Sequence, residues 1–179
     1  NFNNSELFKW PDEYKFRNKE ALKNLKSNNS DYIDKLILDQ FEFEMKWQII
    51  KEKANLKGIK LFGDLPFYVA MDSADVWTNP NLFDLSQQLE PLKIAGVPPD
   101  YFSTTGQIWE NPIYNWKEHR LDNFKWWKER IKINEKRFDL LRIDHFRAIV
   151  SGWCIEYGSE NAINGYWKRG PGKSLLEEI

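Results

Sequence analysis

This sequence has little with which to build a metal centre, a disulfide or a nucleotide-phosphate cradle. Cys154 is its one cysteine, so no internal disulfide can form, which suits a reducing cytoplasm. Its two histidines, His119 and His145, lie 26 positions apart, and no Cys/His cluster has ligand spacing, so no metal is expected. Neither GxGxxG nor GxxxxGK[ST] occurs, which removes the usual phosphate-binding loops, and no cofactor is implied. No run of about 18 apolar residues is present to span a membrane. The opening NFNNSELFKW lacks the basic start and apolar core of a secretory leader. It also lacks an initiator methionine, which reads as a piece of a longer chain. With 26 basic and 27 acidic residues, there is no broad field to attract nucleic acid or an anionic membrane.

What the chain has in excess is aromatic rings, 16% of 179 residues, nine of them tryptophan. Trp77, Trp109 and Trp116 fall in stretches rich in proline and glycine rather than in periodic segments. Rigid rings on loops serve either as platforms for a ligand or as plugs that fasten long loops to the body.

The length suffices for one domain with a sizeable core. Residues 1–29 are polar and read as a connector or small lobe with one short helix near 18-NKEALKNL-25. Ser30 is placed to cap a long helix whose first turn carries Asp31 and Asp34. Ile33, Ile37, Phe41, Met45 and Ile49 recur every fourth residue, predicting a broad buried face, and Gly58 sits where a glycine should stop the helix. A short apolar strand, 58-GIKLFGD-64, follows. Residues 65–116 show no periodicity and carry six prolines. A structureless connection that long is functional or disordered, and its aromatics and low charge favour an ordered, functional loop. Asp122 is placed to cap a second helix with Phe124, Trp127 and Ile131 on one face, ending before Phe138. Helix alternating with strand is the rhythm of an α/β protein.

The stretch 138-FDLLRIDHFR-147 poses the functional question. Alternation puts Leu141 and Ile143 on one face of a strand and Leu140, Arg142 and Asp144 on the other. A strand covered on both sides would read apolar throughout. Here one face turns charged only at its carboxyl end. The earlier strand behaves alike, with Asp64 at its end on the face of Phe62. Parallel α/β folds place active sites at such strand ends. The plainer alternative is an Arg142–Asp144 ion pair closing the strand, with Asp64 capping a turn. A carboxylate beside an arginine has a cation at hand that favours its ionised form. Without a metal, that chemistry suits a nucleophile for a sugar C1 or a stabiliser of an oxocarbenium ion, with loop aromatics stacking on sugar faces. His145 reads equally well as a local hydrogen-bonding residue.

The runs 63-GDLPFYVAMDSADVW-77, 95-AGVPPDYFSTTGQIWENPIYNW-116 and 142-RIDHFR-147 resemble the 4-α-glucanotransferases of glycoside hydrolase family 77, in the α-amylase clan. The likeness extends from about Trp10, through 40-QFEFEMKW-47, to 162-AINGYWKRGPG-172. It implies part of a (β/α)8 TIM barrel, with about two barrel strands and their helices over residues 30–179 and a substrate loop at about 65–116. It also implies retaining, double-displacement transfer of α-1,4-glucan segments between maltooligosaccharides. By the same resemblance Asp144 matches the nucleophile and Arg142 the arginine that orients it. Asp64 matches the floor of the substrate site and His145 a position close to the bound sugar. Tyr101, Phe102, Ser103, Trp109 and Asn111 match the loop over the donor and acceptor glucosyl units. The family's general acid/base glutamate and its third carboxylate belong to segments not found in this chain, so the isolated piece is expected to be inactive. Uncovered barrel faces are expected to drive self-association.

Two positions depart from the family pattern, which has glycine where this chain has Glu110 and Ala148. Two other readings stay open: an α-glucan hydrolase of the same clan, and a non-catalytic carbohydrate-binding module, normally a β-sandwich.

Overall fold

The computed structural model describes residues 5–179; the first four residues of the expected connector and of the leader comparison lie outside them. After a 3-10 turn at Leu7–Lys9, the short α1 (Asp12–Lys15) leads to α2 (Lys19–Asn28), capped by the Asn18 side chain on the amides of Glu20 and Ala21. The long helix α3 (Ser30–Leu56) begins one residue later. Ser30 was expected to be its cap but is its first residue and makes no cap bond. Only Asn29 separates the two helices, and its carbonyl already accepts the amide of Ile33 while its amide group closes α2 on Leu25 O. Gly58 stops α3 as expected, at φ +72°, with Gly58 and Ile59 amides returning to Asn55 and Ala54 carbonyls.

The broad buried face expected of α3 is not found. None of its residues is buried, and Ile37, Phe41 and Met45 are 58%, 61% and 51% exposed. Among the described residues, the hydrogen bonds from the body to this helix fall between Glu44 and Asn55. Trp47 donates to Arg137 O at 2.8 Å and meets Phe138 edge-on, Glu44 pairs with Arg137, and Lys51 donates to the carbonyls of residues 135, 136 and 138.

Strand β1 (Phe62–Leu65) starts the body. The stretch expected to be one long loop instead contains α4 (Ala74–Thr78), β2 (Lys93–Val97) and β3 (Gln107–Pro112). Helices α5 (Trp116–Leu121) and α6 (Lys125–Arg137) lead into β4 (Leu140–Ile143), and β5 (Ser151–Glu156), β6 (Tyr166–Arg169) and α7 (Lys173–Leu176) complete the chain. Strands β1 and β4 pair in parallel, Asp64 opposite Arg142. The other four form an antiparallel sheet in the order β3-β2-β5-β6, which the sequence reading did not anticipate. Helix α6 packs against both parallel strands, an α/β arrangement unlike the β-sandwich of a binding module.

An aromatic core binds these parts. Phe67, Tyr114, Trp116, Phe124, Trp126 and Trp127 are all buried together, and Tyr114 Oη donates to Phe67 O at 2.6 Å. Arg130 of α6 lies over Trp126 and Trp127 and donates to the carbonyls of Pro66 and Phe67, tying the end of β1 to that helix. Trp116 is therefore a core residue, and Trp77 fastens the N-terminal segment by donating to Tyr14 O. The Asp122 carboxylate accepts the amide of Lys125 at 3.3 Å, so it does close the start of α6 as expected, although Phe124 occupies the N-cap position itself.

His119 is fully buried in this core, edge-on to Tyr114, and burial, partly opposed by Asp122, pushes its pKa down to about 4. An unfolded histidine titrates near 6.5, so below that pH the unfolded chain binds the proton first. Stability from this group is complete above pH 6.5 and erodes as pH falls, by about 2 kcal/mol at pH 5 and about 3 kcal/mol at pH 4. Urea unfolding between pH 7.5 and 5 should show a fall that is smaller in His119→Phe. Parallel curves for the two proteins would contradict the assignment.

Candidate active site

Burial alternates strictly from Phe62 to Ala70, with Gly63, Leu65, Phe67 and Val69 buried and the residues between them open or half-open. On β4 the order is the same: Leu141 and Ile143 face the core while Leu140, Arg142 and Asp144 are exposed. The parallel register then sets Asp64 directly beside Arg142, and the ladder continues with Asp144 N donating to Leu65 O at 2.9 Å. The two charged strand ends thus meet on one open face.

The guanidinium of Arg142 joins both acids. It grips Asp64 through two bonds, Nε–Oδ1 at 2.8 Å and Nη2–Oδ2 at 2.5 Å, and Nη2 also lies 3.3 Å from Asp144 Oδ1. Alternation along the strand puts this arginine beside Asp144; across the strands its bidentate partner is Asp64. That bond holds the Asp64 carboxyl below the usual carboxylate range and raises Arg142. Asp144 keeps its other oxygen free of the fork, on a side chain 53% exposed.

His145 follows in a left-handed conformation, φ +47°, which turns the chain sharply after Asp144. Its ring meets Trp109 edge-on, centroids 4.8 Å apart, and Tyr68 at 6.0 Å. Burial lowers its pKa, with Asp144 opposing and Arg147 acting in the same direction as burial. Tyr68 stacks on Tyr114 at an interplanar angle of 14° and stands on the core behind the histidine. A side chain at Gly152 would strike the Tyr68 hydroxyl, 2.3 Å from the position of a Cβ, so any larger residue there would have to displace the Tyr68 ring. Sequence reasoning passed over Tyr68 and Gly152. Counting alternation on from Asp64 through Pro66 would have reached Tyr68.

Trp109 is half-buried, and its indole N–H donates to Gln107 Oε1 at 3.0 Å. Of the three loop tryptophans it alone stands at the charged strand ends. Asn111 donates to Val69 O at 2.9 Å, holding β3 to the segment after β1. Tyr101 and Phe102 project from the tip of the β2–β3 hairpin, 96% and 92% exposed and edge-on to each other at 5.6 Å. That tip is stiffened from within: Asp100 Oδ1 accepts the amides of Phe102 and Ser103, and Ser103 Oγ donates to Gly106 O. Trp109 and His145 thus stand together, while Tyr101 and Phe102 make no ring contact with either among the described residues. No group of three or more His, Cys, Asp or Glu among the described residues could hold a metal.

The family model for 4-alpha-glucanotransferase, glycoside hydrolase 77, matches residues 1–179. The chain belongs to that family. A 4-alpha-glucanotransferase of Aquifex aeolicus is 47% identical over 97% of this chain and 36% of its own length, and one from Clostridium butyricum is 44% identical over 95% and 35%. An amylomaltase from Streptococcus agalactiae, solved in complex with acarbose, superposes with a TM-score of 0.93 at 43% identity, over 99% of this chain and 36% of that one. The chain spans about a third of the length of these relatives, and its fold is part of the amylomaltase TIM barrel.

The two positions at which the resemblance implies glycine differ in kind. Ala148 is buried in a 3-10 turn with an ordinary negative φ, where a methyl group costs nothing in backbone strain. Glu110 has φ +60°, the left-handed region that favours glycine.

Proposed function

We propose that this segment carries the nucleophile half of the active site of a retaining 4-α-glucanotransferase. The observation behind the proposal is the joining of Asp64, Arg142 and Asp144 on the open face of two parallel strands. In this reading residues 30–179 are barrel, residues 1–29 a connector and 65–116 the substrate segment. Asp144 attacks C1 of a glucosyl unit, the bond from C1 to the leaving 4-oxygen breaks, and a covalent glycosyl-aspartate forms. The 4-hydroxyl of an acceptor chain then attacks C1, passes its proton to the carboxylate that protonated the leaving oxygen in the first step, and frees Asp144, so two inversions retain the α configuration. Arg142 orients Asp144 and Asp64. The ionised Asp64 cannot donate a proton, so the acid acting on the leaving oxygen is a different carboxyl, which the family resemblance assigns to a segment outside this chain. His145 and Trp109 line the bound sugar, and Tyr101, Phe102, Ser103 and Asn111 belong to the loop that covers it. Closing aromatic rings over the intermediate favours a sugar acceptor over water. We assign the protein to the cytoplasm, in keeping with its single, buried, unpaired cysteine, and we take the exposed face of α3 as a surface for self-association.

Maltotriose tests the proposal. The full-length protein bearing this segment should convert it to glucose and a ladder of longer oligomers, while the isolated 179-residue chain should convert none. Glucose and maltose without longer products would favour the hydrolase reading. Turnover by the isolated chain would overturn the division of the site.

A further inference from the structure

Strand β3 changes register against β2. Ile94 faces Pro112, yet Gly96 faces Ile108, so a two-residue step on β2 is matched by a four-residue step on β3. Residues 109–111 take up the excess, and Glu110 at their centre has φ +60°. A bulge bends its strand and re-aims the side chains beside it, and its left-handed position is normally filled by glycine. On one side of this bulge is Trp109, in contact with His145; on the other is Asn111, fastened to Val69 O. The Glu110 side chain itself is exposed and makes no hydrogen bond or ion pair among the described residues. It borders a cleft shared with Glu6 and Asp72, acids of its own sign. Whatever residue 110 contributes, it contributes through the backbone.

We propose that the bulge at residues 109–111 is the device that seats the Trp109 indole against His145, and that Glu110 acts as a positioning residue through its left-handed backbone. A regular β3 continuing the register of Gly96 and Ile108 would set Trp109 opposite Ala95 and Glu110 opposite Ile94, where Pro112 now stands. The carboxylate is dispensable; the turn is not. The effect on glucan transfer rests on the function proposed above, but the effect on structure does not.

Four variants of the full-length protein separate the possibilities. Glu110→Gly and Glu110→Asn tolerate the left-handed backbone, Glu110→Gln removes only the charge, and Glu110→Val resists the turn through its branched Cβ. Crystal structures of the glycine and asparagine variants should keep the Trp109–His145 contact, with Tm raised by about 1 °C in a protein some three times this length. Glutamine should match the parent. Valine should lower Tm, shift β3 and part the two rings, and should raise the KM for maltotriose about tenfold with a smaller change in kcat. A valine variant that keeps the contact overturns the proposal, as does one that loses Tm with the rings still together. Should valine prevent folding, the comparison of glycine with glutamine decides: a higher Tm for glycine supports the backbone role, and equal values overturn it. If the parent shows no transfer at all, the functional reading fails while the ring contact and Tm still decide the bulge.

Discussion

Asp144→Asn in the full-length protein should cut glucan transfer on the order of 10⁴-fold or more, the scale seen when a covalent nucleophile is removed, and leave the Tm within a degree or so of the parent, as expected for an exposed surface substitution. The amide has the shape of the carboxylate but cannot attack C1. The fold should tolerate it because the side chain is half exposed and, among the described residues, makes a single polar contact, to Arg142, while the strand is held through the backbone bond to Leu65. Product formation from maltotriose and thermal unfolding measure the two effects. Transfer within tenfold of the parent would remove Asp144 from the nucleophile role.

Arg142→Ala should cost about 10²–10³-fold in transfer, the range for losing one preorganised charged group at a reacting centre. Two acids would then face each other across the ends of two neighbouring strands without the cation between them. Arg142→Lys should recover only part of the loss, because a single ammonium cannot reproduce the two-bond grip on Asp64 while also reaching Asp144. The coupling is checked with Asp64→Asn. If Asp64 acts by holding Arg142, the double substitution should be no worse than Arg142→Ala alone. Fully additive losses would mean that Asp64 has its own independent contact with the sugar.

How much of this could be read from the residues depended on how regular each segment is. Alternation in 138-FDLLRID-144 put Arg142 and Asp144 on one face of their strand, and in 58-GIKLFGD-64 it put Asp64 on the face of Phe62, because both strands keep a strict alternation of burial where the charges lie. Gly58 was legible because a helix stop has one cheap chemistry. The four-stranded antiparallel sheet was not legible. Strand β2 is five residues with a glycine inside it, and β3 ends in proline and carries a two-residue bulge, so neither shows a period of two. The pairing of Arg142 with Asp64 depends on a register across 78 residues of chain, which no local pattern encodes. Helix α3 shows the opposite failure: its apolar stripe is plain in the sequence, yet among the described residues none of the helix is buried. Its apolar pattern records a demand for burial that the described residues do not meet.

The decisive experiment is to trap the glycosyl-enzyme with a fluorinated α-glucosyl fluoride, whose turnover stalls after the first displacement, and to map the labelled peptide by mass spectrometry. The label should sit on Asp144, in the peptide containing RIDHFR, and should be absent from Asp144→Asn. Label on Asp64, or on any carboxylate outside that peptide, would contradict the assignment of Asp144 as the nucleophile.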